Sequence, residues 1–93
     1  MKAFDYALLN QGHPVCTIQG NYVEICSINN TLVYPIVGNI LFHSEKNQFD
    51  WKCDGISFPW YDLFLIDYKD LENFSYNQEL KDRIKDELDT FYK

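Results

Sequence analysis

The side chains best suited to chemistry in this 93-residue chain are three cysteines, Cys16, Cys26 and Cys53, and two histidines, His13 and His43. Between them they carry the nitrogen and sulfur donors of a zinc site. Zinc, however, takes four convergent ligands, usually presented as closely spaced pairs. There is one H-x-x-C pair, His13 with Cys16, and no C-x-x-C. Each cysteine sits in an apolar, β-prone context, where a free thiol behaves as a small buried hydrophobe. Neither a metal nor a cofactor is expected.

The same residues make a poor nucleophilic centre. A cysteine nucleophile needs a base in contact and a third group to orient that base. His13 and Cys16 are three apart, and odd spacing in an extended segment points side chains to opposite faces. Asp82 and Asp86, at i and i+4, read as an ordinary solvated helix face. Asp54-Gly55 reads as a hairpin turn. The four glycines are scattered and form no phosphate-cradling loop. A binding protein rather than an enzyme is the expectation.

Binding directs attention to the aromatic residues, 17% of the chain. Trp51 shares a strand face with Phe49, and Phe58, Trp60 and Tyr61 lie beyond the following turn. Such a group is either a cross-strand core cluster or a docking surface, since Trp and Tyr dominate binding hot spots. The candidate surface comprises Trp51, Trp60 and Tyr61, with an apolar helix stripe of Leu80, Ile84, Leu88 and Phe91.

The net charge is −6, and no basic residues form a run. Direct nucleic-acid binding, which needs clustered Lys and Arg, is therefore excluded as an expectation. Residues 62–93 hold nine acids against five bases and carry −4 of that charge. Acidity suits solubility, a basic protein partner or mimicry of nucleic-acid charge. No stretch approaches the roughly 20 apolar residues of a membrane span, and the opening residues do not resemble an export signal. With an odd cysteine count, this predicts reduced thiols in a cytoplasm.

The elements that must position these residues read as an α+β domain over 1–93. A sheet of four to six antiparallel strands is flanked by a short N-terminal helix and an amphipathic C-terminal helix. Phe4, Ala7 and Leu8 form one stripe of a helix over 3–10, stopped by Gly12 and Pro14. Residues 15–28 read as a hairpin broken at Gly20-Asn21. Hydrophobicity favours a two-residue turn, with Cys16, Ile18, Val23 and Ile25 on one face. A longer loop with a bulge at Gly20 instead groups Val15, Val23 and Ile25. Asn29-Asn30 is a turn. Residues 33–42 form the most apolar strand, with Pro35 at an edge or start and Gly38 at a bulge or close approach.

Ser44–Asn47 reads as a polar turn, Phe49–Cys53 as a strand and Ile56–Phe58 as its return. Residues 62–67 suit a strand or a helical turn. The expected core includes Val23, Ile25, Ile36, Val37, Ile40 and Phe42. Ser75 with Gln78 has the spacing of a capping box, opening a helix over 76–92. Glu87 and Asp89 oppose its dipole, so its end is expected to fray. Its narrow apolar stripe resembles the seam of a helix pair, which predicts self-association or partner binding.

Several short motifs occur in order: Gly12-His13-Pro14-Val15-Cys16-Thr17, then Tyr34-Pro35-Ile36-Val37-Gly38, then Asp54-Gly55, then Asp62-Leu63-Phe64-Leu65. In this order the chain resembles a family of small phage and prophage proteins that carry G-x-P-V-x-T-R-D-G, Y-P-I-V-G, D-G and D-L-F. The resemblance covers about residues 4–67 and leaves 68–93 as a C-terminal helical extension. Ile18-Gln19 stand where the pattern has Arg-Asp. An architectural likeness to phage proteins that antagonise the Thoeris defence implies an oligomer that sequesters a nucleotide signal. The resemblances imply a phage accessory protein that counters host defence by binding a host protein, such as a basic nucleic-acid-binding surface, or a nucleotide. The alternative is a phage assembly or regulatory domain with no defence role. A homodimer through the helix stripe is a further expectation.

Overall fold

A computed structural model describes residues 1–42, 45–57 and 61–93. Its six strands form one antiparallel sheet: β1 (Lys2–Ala3), β2 (Val15–Thr17), β3 (Tyr22–Ile28), β4 (Ile36–Phe42), β5 (Glu45–Trp51) and β6 (Leu63–Leu65). The spatial order is β1-β6-β2-β3-β4-β5. Three helices complete the chain: α1 (Tyr6–Asn10), α2 (Asp70–Asn73) and α3 (Gln78–Phe91). The expected α+β architecture is present, with α1 at one end of the sequence and the amphipathic α3 at the other. Neither β1 nor α2 was anticipated, being too short to leave a periodic pattern.

The β2–β3 hairpin corrects the favoured register. Val15 pairs with Val23 and Cys16 with Tyr22, so the longer-loop alternative is the real one. Gly20 N–H donates to Thr17 O and Thr17 N–H donates to Asn21 O, both at 2.9 Å. Gly20 takes φ +88°, and a Cβ there would lie 2.3 Å from the Phe74 ring. This one conformational requirement sets the loop length and puts Cys16 on the face opposite Val23. Ile18, expected inside, is exposed.

Strand β4 begins at Ile36 rather than residue 33. Asn29 N–H donates to the Pro35 carbonyl at 2.8 Å, closing the hairpin there. Leu32, Val33 and Tyr34 are consequently an exposed apolar tip. Gly38 is a close approach, since a Cβ would stand 2.8 Å from Glu24 O. The bulge lies in β3, between Ile25 and Ser27. Strand β5 starts at Glu45, so Glu45–Asn47 is strand and not turn; His43 and Ser44 lie outside the described residues. Asp54-Gly55 does turn, with Gly55 N–H donating to Lys52 O at 2.8 Å. Ile56 and Ser57 form no strand, and Phe58 lies outside the described residues.

Period-two alternation gives the sheet two buried faces. The first buries Val15, Val23, Ile36, Ile40, Trp51, Leu63 and Leu65 beneath Leu9 of α1. Half-buried Ile25 packs against this cluster. Asp5 caps α1 by accepting from Ala7 N at 2.9 Å, and the Tyr6 hydroxyl pins the helix to Asn30. The second face buries Cys16, Tyr22 and Ile66 beneath Leu71, Ile84 and Leu88. Val37, expected in the core, is half-buried, because β4 alternation sends it to the side opposite Ile36 and Ile40. The side chain of Phe42 lies outside the described part.

Asn77, not Ser75, caps α3, accepting from Leu80 N at 2.8 Å. Residues 74–76 instead strap the β2–β3 turn, where the Tyr76 hydroxyl donates to Gly20 O at 2.6 Å. The helix runs to Phe91, whose ring packs edge-on against His13 at 4.7 Å. Asp89 accepts from the Tyr68 hydroxyl at 2.5 Å, which engages a charge that otherwise opposes the dipole. No helix among the described residues is long and apolar enough to cross a membrane.

Candidate binding surface

Helix α3 joins the sheet through one ionic network. Arg83 Nη1 donates to Glu24 Oε2 at 2.9 Å, and Arg83 Nε lies 3.4 Å from Glu87 Oε1. The guanidinium sits 5.2 Å above the Tyr22 ring, and the Tyr22 hydroxyl donates to Glu87. Lys46 reaches the other Glu24 oxygen at 3.5 Å. The hydrogen bond from Arg83 holds the Glu24 carboxyl below its ordinary value. Burial, then the bond to Glu87, raises the Tyr22 phenol.

Beyond this network, α3 turns Glu79, Asp82 and Asp86 outward, all exposed and one or two turns apart on one side of the helix. They wall an open groove of 760 Å³. The groove forms because β2 pairs with β3 only as far as Val23, leaving that flank of β3 without a strand from Glu24 onward. Ile25 and Val23 contribute its apolar floor, and the end of α1 with His13-Pro14 makes the opposite wall. A smaller groove of 350 Å³ shares Gly12, Asp86 and Glu87 with it. The larger groove thus has an apolar floor and a carboxylate bank.

The residues singled out from sequence fare differently. Trp51 is a correction: it is fully buried, and its Nε1 donates to Tyr61 O at 2.6 Å. Its neighbour Tyr61 is half-buried with its ring 4.8 Å from Phe49. Trp60 lies outside the described residues. Ile84 and Leu88 are also corrections, both without exposure, while Leu80 and Phe91 are half-buried. The chain's own sheet supplies the cover for this stripe, because the second face of β2, β3 and β6 is apolar and needs one. The helix is thus part of the body it was expected to extend.

The donor residues do not assemble. His13 is buried, its Nδ1 2.9 Å from the Pro14 carbonyl and its Nε2 3.1 Å from the Tyr92 hydroxyl. A carbonyl only accepts, so Nδ1 carries the proton, and in the neutral ring Nε2 accepts from Tyr92. Burial, with the Asp70 charge adding to it, pushes the Cys16 thiol up to about 12, so it stays protonated. Cys26 and Cys53 are exposed. Among the described residues no three of His, Cys, Asp or Glu converge as a metal requires.

The carboxylate bank itself was missed as a site. The i, i+3, i+7 spacing of Glu79, Asp82 and Asp86 was legible, but its position over the open flank of β3 was not. No family model, curated protein or solved structure matches this chain.

Proposed function

We propose that this chain is a phage or prophage accessory protein that works in the host cytoplasm by binding, and that it inhibits a host defence protein. The observation carrying this reading is the groove over the open flank of β3, with Glu79, Asp82 and Asp86 along one bank. An apolar floor beside clustered carboxylates suits a basic, partly apolar protein segment such as the rim of a nucleic-acid-binding channel. Like charges three and four apart on a helix cost stability, and a docking role gives that arrangement a use. The phage assignment draws on the ordered motifs of residues 12–65.

Sequestration of a nucleotide signal fits less well. The chain's one arginine, Arg83, is already held by Glu24 and Glu87, so a phosphate would compete with two carboxylates.

The test is plating efficiency of phage on bacteria that carry individual defence systems and express this chain. Relief of restriction is expected for at least one system, and Glu79→Lys/Asp82→Lys/Asp86→Lys should abolish it without loss of folded protein. Absence of relief across nucleic-acid-targeting systems would overturn the reading. Relief that survives the triple variant would place the contact elsewhere and overturn the groove assignment.

A further inference from the structure

Strand β5 ends the sheet, and its hydrogen-bond parity can be followed from the hairpins. In an antiparallel ladder, bonded pairs alternate with non-bonded ones. The bond from Thr17 to Asn21 makes Val15–Val23 a bonded pair, so Glu24 turns its amide and carbonyl to Asn39 of β4. The bond from Asn29 to Pro35 independently makes Ser27–Val37 a bonded pair. Both routes leave Val37 and Asn39 facing β3, and therefore Ile36, Gly38 and Ile40 facing β5. Their partners Trp51, Phe49 and Asn47 thus spend their backbone groups inward. The amides and carbonyls of Lys46, Gln48 and Asp50 point off the edge of the sheet. Lys52, next in that outward series, donates to Ile56 O at 3.0 Å, which ends the free edge.

We propose that β5 pairs antiparallel with β5 of a second copy of this chain, about a twofold axis at Gln48. In that register Lys46 is a bonded pair with Asp50 of the partner subunit, Gln48 with Gln48 of the partner subunit, and Asp50 with Lys46 of the partner subunit. Each outward backbone group then meets an outward group. The side chains of Lys46 and Asp50 lie on the same face of β5 and are exposed, so each bonded pair at the ends also sets opposite charges across the interface. Asp50 makes no hydrogen bond or ion pair of its own among the described residues. A slip of one residue would set outward groups against inward ones and form no ladder. A slip of two loses one bonded pair and both charge pairs. Parallel pairing in register would set Lys46 beside Lys46 and Asp50 beside Asp50. The edge is therefore self-complementary in one arrangement, and a seven-residue strand with no outer partner among the described residues is itself a template for pairing. The interface differs from the helix seam expected from sequence, which the chain's own core consumes.

Light scattering on the full chain tests this. The wild-type chain is expected at twice 11.1 kDa. Lys46→Glu, with acids at both positions, and Asp50→Lys, with bases at both, should each fall to the mass of one chain. Mixed in equal amounts they should recover the double mass, because every cross-strand pair is then opposite in sign. Gln48→Pro removes an N–H that the chain's own ladder does not use, so it should keep its circular dichroism and lose the double mass. If that variant unfolds, the mixing experiment still decides. A wild-type mass of one chain at the highest soluble concentration overturns the proposal. So does a double mass that persists in both charge variants, or a mixture that stays at single mass.

Discussion

The two faces of the sheet are closed by different means. The first is covered by α1, which lies next to β1 and β2 in the chain, and its cluster consists of buried apolar side chains around one satisfied indole. The second is covered by α3, contributed from the far end of the chain, with Arg83 and Glu87 tied to Glu24 and Tyr22 at its margin. Stability of the first face is a matter of volume and packing. The second adds charge, and with charge comes a dependence on pH.

The strongest way to separate the faces is to remove their anchors. Trp51→Ala should destabilise the chain by about 3–5 kcal/mol in urea unfolding, from the cavity it leaves. It also removes the indole N–H that donates to the Tyr61 carbonyl. Ile84→Ala should cost somewhat less, about 2–4 kcal/mol, because less volume is removed. Equal insensitivity to both would mean that the helix and the sheet do not share a cooperative core.

The smallest effect is the most diagnostic. Glu24→Gln should cost less than about 1 kcal/mol near neutral pH, since Arg83 is substantially exposed and the pair is screened. The folded-state Glu24 carboxyl sits below its ordinary 4.5. Its contribution is therefore complete above that value and disappears as pH falls through the depressed one. Wild type and Glu24→Gln should differ at neutral pH and converge in acid. A constant offset across that range would show that the network carries no charge-dependent stability.

Much of the architecture was written locally. The apolar runs, the turn residues Asn29 and Asp54-Gly55, and the 3.6-residue stripe of α3 specify strands, hairpins and a helix through short-range sterics and periodicity. Ile36 and Ile40 are core for the same reason, lying four apart on one side of a strand. What the chain could not announce is which face each element meets. Val15 rather than Cys16 shares a face with Val23 because Gly20 adopts a positive φ, and a one-residue change in that loop would invert the assignment.

Distance along the chain decided the rest. The stripe of Leu80, Ile84, Leu88 and Phe91 looks alike whether it awaits a second copy or its own sheet. Only the apolar second face, assembled from β2, β3 and β6, shows that Ile84 and Leu88 are spoken for. The same holds for the acids. Glu79, Asp82 and Asp86 are a charged helix face in sequence, and they become the bank of a groove because β2 stops pairing at Val23. Local periodicity determined what each segment would be; long-range burial determined which surfaces were consumed and which stayed exposed.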